Sequence, residues 1–75
     1  MTDAAIALAQ RDVDDALWAA KIAEDGFNNA RFFGFAAYGT ARDNFVAARR
    51  QEFDAALAAL EEKRRALQGL TAAVA

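Results

Sequence analysis

The chain has 75 residues and a net charge of −2, so it forms one small domain, residues 1–75, with no strong electrostatic pull on any partner. It contains no cysteine and no histidine, which excludes disulfide staples, structural zinc and most catalytic constellations. With no proline and with alanine at 22 of 75 positions, the composition predicts an all-α fold, because alanine is the best helix former and proline the strongest breaker.

The first element opens at Thr2, an N-cap residue, with Asp3 at the positive helix end. Ile6, Ala9, Val13, Ala16 or Leu17, Ala20 and Ala23 then recur at steps of three and four, which is one helical face. Because that face is mostly alanine, a partner helix can approach it closely. Leu8, Trp18 and Ile22 lie on a different side; Trp18 and Ile22 sit about 140–180° from Val13 and about 100–140° from Leu17. One packed stripe cannot absorb both sets, so the first helix is expected to serve two neighbours.

EDGFNN follows. Gly26 is a candidate helix end, with Asn28 or Asn29 capping a second helix. The competing expectation is that the helix runs through Gly26 at a cost of about 1 kcal/mol relative to alanine. The segment 29–38 is aromatic. Phe32, Phe35 and Tyr38 follow a three-residue step, and Phe33 points well away from them. The uncharged run 32–41 is too short for a bilayer, which takes about 20 helical residues.

Gly39, Thr40 and Asp43 predict a stop and restart: glycine to end one helix, threonine to cap the next, and an acid three residues later. Beyond them Val46, Phe53, Leu60, Leu67 and Val74 recur at steps of seven. Ala56, Leu57 and Leu70 lie between them, giving a coiled-coil-like seam. Arg50–Asp54 and Glu61–Arg65 are spaced to pair along the helix. Gly69 is expected to begin a frayed tail.

Two layouts satisfy these signals: three helices over 3–25, 29–38 and 41–68, or a hairpin of two long antiparallel helices turning at 38–40. The fold expected is a helical hairpin, with or without a short aromatic helix at the bend, dimerising into a four-helix-type bundle. Charge supports folding back. Residues 1–27 hold six acids and two bases, whereas residues 28–75 hold seven bases and five acids.

Serine is also absent, so no triad can form, and no phosphate-cradling glycine motif occurs. No enzymatic activity, cofactor or metal is expected. Asp12, Asp14 and Asp15 lack the spacing of a calcium loop. The residues suited to partner binding are Trp18, Ile22, Arg31, Phe32, Phe33, Phe35 and Tyr38, edged by Asp12 and Asp15.

The leading expectation is a non-enzymatic interaction protein, an inhibitor or adaptor that binds itself and a larger protein. Such a compact chain suits a phage or mobile-element accessory role in the cytoplasm. The alternatives are a DNA-binding regulator using Arg42, Arg49 and Arg50, and a structural assembly subunit.

Overall fold

The computed structural model describes residues 2–33 and 39–74, and these form two helices: α1, Thr2–Phe33, and α2, Thr40–Val74. They pair as an antiparallel hairpin of 54 × 14 × 13 Å. The expected all-α hairpin is therefore the fold, and of the two layouts the described residues favour two helices. The proposed short aromatic helix over 29–38 does not begin at Asn28 or Asn29, since residues 28–33 are the last turns of α1. The rest of that segment, including Phe35 and Tyr38, lies outside the described residues.

α1 runs through Gly26 without a positive φ. The reason is tertiary. Ile6, Val13, Ala20 and Phe27 recur at steps of seven, as do Ala9, Ala16, Ala23 and Ala30, so the packed seam of α1 continues past the glycine. Beyond it Ala30 is buried to 2 % exposure, and the Phe27 ring stacks on Phe53 with centroids 6.2 Å apart. These contacts offset the propensity lost at Gly26, which is about 1 kcal/mol.

At the other end of the bend Gly39 has φ +64°, and its carbonyl accepts the Asp43 amide at 3.0 Å. Gly39 thus occupies the cap position itself, and Thr40 is already helical. The threonine-to-acid capping box is not formed among the described residues. Asp43 still stands in the first turn, where a carboxylate complements the helix dipole.

α2 also passes through its glycine, Gly69, and extends to Val74 rather than fraying. Just beyond Gly69 the Thr71 hydroxyl lies 3.1 Å from the carbonyls of both Leu67 and Gln68, which serves late carbonyls of the helix.

The core is thin. Val13, Ala20 and Leu60 form its centre, with Ala16, Ala56 and Leu67 packed against them. Small residues of α1 therefore lie against larger ones of α2, which lets the backbones approach. Leu57 falls on the flank and stays exposed, although its sequence position suggested the seam.

Candidate protein-binding face

The face of α1 turned away from α2 is built by two heptad rows. One carries Arg11, Trp18, Asp25 and Phe32 at steps of seven. The neighbouring row carries Leu8, Asp15, Ile22 and Asn29. Both rows lie far from the seam set by Val13 and Ala20, so the packing of α1 on α2 leaves them open. Trp18 is 66 % exposed, Leu8 61 %, Ile22 58 % and Phe32 64 %. Trp18 and Ile22 are one helical turn apart and side by side, and Phe32 lies about 21 Å further along the axis.

The structure thus brings Trp18, Ile22, Phe32 and Asp15 of the expected residues onto one face. Asp12 is half-buried and sits on the shoulder nearer α2. Its neighbour Asp14 points elsewhere and accepts a hydrogen bond from the Gln10 amide at 3.1 Å. Leu8 belongs to the face and was missing from the expected set. Its signal was present in the sequence, because it shares the stripe of Ile22. The Phe33 side chain, Phe35 and Tyr38 lie outside the described residues.

Arg31 faces the bend. Its guanidinium stands 5.3 Å from the Phe27 ring centroid and 4.9 Å from that of Phe32. Its carbonyl accepts a bond from Arg42 Nη2 at 3.1 Å, which ties the end of α1 to the start of α2. Around this link Phe27, Arg31, Arg42, Asp43, Val46 and Arg50 line an open pocket of about 500 Å³.

Three of the six basic residues of α2 are paired with acids of their own helix. Arg49 pairs with Glu52 at 2.8 Å, Arg50 with Asp54 at 3.9 Å, and Arg65 with Glu61 at 2.8 Å. The last two are the pairs their spacing predicted. Arg49 also covers the Phe45 ring at 5.2 Å and Arg50 reaches the Phe27 ring at 5.9 Å. No ion pair joins the acidic α1 to α2 among the described residues. Three of the six acids of α1, Asp14, Asp15 and Asp25, occupy rows turned away from the seam, whereas the partners within α2 are only three or four residues away.

No group of acidic residues suited to a metal ion occurs among the described residues, and neither helix is long and apolar enough to cross a membrane. Compared with protein families, curated proteins and solved structures, the chain matches none.

Proposed function

We propose that the protein is a non-enzymatic interaction module that works by binding protein surfaces, in the manner of an adaptor or inhibitor. The observation that carries this reading is the outer face of α1. Leu8, Trp18 and Ile22 are each more than half exposed on a single face of a helix whose opposite face is already packed. A helix with one packing partner has no internal use for a second apolar stripe, and tryptophan is among the residues most enriched at binding hot spots. Arg11, Asp15 and Asp25 alternate with the apolar residues in the same two rows, which favours a protein surface over a lipid one. Phe32 extends the same face toward the bend, where Arg31 stands over its ring from the seam side.

A nucleic-acid role has less support. A phosphate-binding surface uses cations that are free to replace counterions. Here Arg49 and Arg50 stand beside carboxylates of their own helix, and Arg42 is bonded to the Arg31 carbonyl.

The test is affinity capture with the intact protein and with a Trp18→Ala, Ile22→Ala double variant of unchanged helical content. The expected result is a stoichiometric protein partner held by the wild type and lost by the variant. Equal capture by both would overturn the assignment of this face. Salt-sensitive retention of random duplex DNA would transfer the function to the arginines of α2.

A further inference from the structure

The hairpin exposes more surface than a chain of its size needs to. Its accessible area is 5639 Å², whereas a compact monomer of 8.1 kDa exposes about 4,500 Å². The excess, roughly 1,100 Å², is the size of one side of a specific protein–protein contact, which covers about 800 Å² per partner. The radius of gyration points the same way: 16.8 Å, against about 11 Å for a compact chain of this length. The described interior holds only four buried residues, Val13, Ala20, Ala30 and Leu60, and two of these are alanine. Such a core is small for independent stability.

The shape of the surplus surface identifies what covers it. In an antiparallel helix pair, corresponding flanking rows of the two helices run along the same edge. The edge beside Leu8 and Ile22 on α1 therefore continues onto Ala55, Ala59 and Ala66 of α2, all exposed, with Glu52 and Glu62 in the same rows. A protruding apolar row and a flat alanine row thus lie next to each other on one side of the hairpin. A two-fold axis brings each row of one copy onto the other row of its mate, since an isologous contact pairs i with j and j with i.

We infer that a second copy of this chain covers the edge of α1 that carries Leu8 and Ile22, with those side chains of each copy seated on the alanine edge of α2 of the other and the adjacent Trp18 ring closing the rim of the contact, giving a two-fold four-helix bundle. The inference rests on the reading of that face as a protein-binding surface and names its first occupant. A larger partner then meets the assembled dimer.

Trp18 is the single tryptophan, so its fluorescence reports on this contact alone. Sedimentation and Trp18 emission are measured together across a dilution series of the whole chain. The expected result is a dimer whose emission is blue-shifted when concentrated and moves to that of water-exposed indole on dilution, in step with dissociation. Ile22→Asp on α1 and Ala59→Arg on α2 should each weaken the dimer by about tenfold or more, with circular dichroism showing the helices intact. Leu57→Gln, on the opposite edge, should leave association unchanged.

A monomer at every concentration overturns the inference. So does a dimer whose Trp18 emission stays that of exposed indole, or one that survives both disruptive variants. Open-ended growth overturns it too, because an isologous contact closes. A monomeric wild type that nevertheless captures a partner through Trp18 and Ile22 refutes the second copy and leaves the proposed function standing.

Discussion

Glycine has two opposite meanings in this chain. Gly39 adopts φ +64°, which places any L side chain in the left-handed region. Gly39→Ala should therefore lower stability by about 1–2 kcal/mol, read from thermal unfolding at fixed protein concentration. Gly26 is helical, and a methyl group there meets nothing within 4 Å. Gly26→Ala should raise stability by about 0.5–1 kcal/mol, since alanine removes backbone freedom from the unfolded chain. The reverse pattern, a gain at Gly39 and a loss at Gly26, would overturn the assignment of turn and helix. The arginines teach a similar lesson. Their carboxylate partners lie on the same helix and in solvent, so they add little to stability and tell more about which cations remain for a ligand.

Each helix combines a packed row with an unpacked one. On α1 the packed rows are dominated by alanine, and that choice brings α2 close enough for Leu60 to reach 5 % exposure. Leu60→Ala should cost about 2–5 kcal/mol, the ordinary range for a buried leucine, and should be visible as a lowered denaturation midpoint. The converse change is equally informative. Ala20→Leu adds bulk where the helices are closest and should cost about 1–3 kcal/mol by forcing them apart. A neutral or stabilising Ala20→Leu would show that the seam is looser than its burial implies. The exposed Leu8, Trp18 and Ile22 contribute nothing to the packing of the hairpin, so three large apolar side chains on one outer face call for an external contact.

For the whole molecule, thinness is the governing property. A rod two helices wide has no interior layer, and every seam residue is close to solvent. If a second copy supplies the missing layer, unfolding and dissociation are linked and stability rises with concentration. The denaturation midpoint of the wild type should then increase across a hundredfold concentration range, while that of Ile22→Asp should stay constant. A midpoint that is constant for the wild type would assign all stability to the single hairpin.

Much of this was legible in the amino-acid order. Local propensity and turn chemistry act over a few residues, so the helical class, the break at Gly39 and the ladder from Val46 to Leu67 can be read directly. The same is true of the two-sided character of α1, because Trp18 and Ile22 cannot share a stripe with Val13 under helical geometry. Local signals misled at Gly26 and Gly69. There the choice between stopping and continuing depends on contacts distant in sequence: Phe27 on Phe53 and the burial of Ala30 at the first, the return of α2 along α1 at the second. Thr40 read as a cap for a related reason, since the capping pattern is satisfied equally well by a glycine carbonyl once the turn closes. The sequence by itself determined which segments are helical and which residues are apolar. Only the tertiary structure decided which apolar rows are spent on the hairpin and which remain open, because burial is a property of what a side chain meets across space and not of its neighbours along the chain.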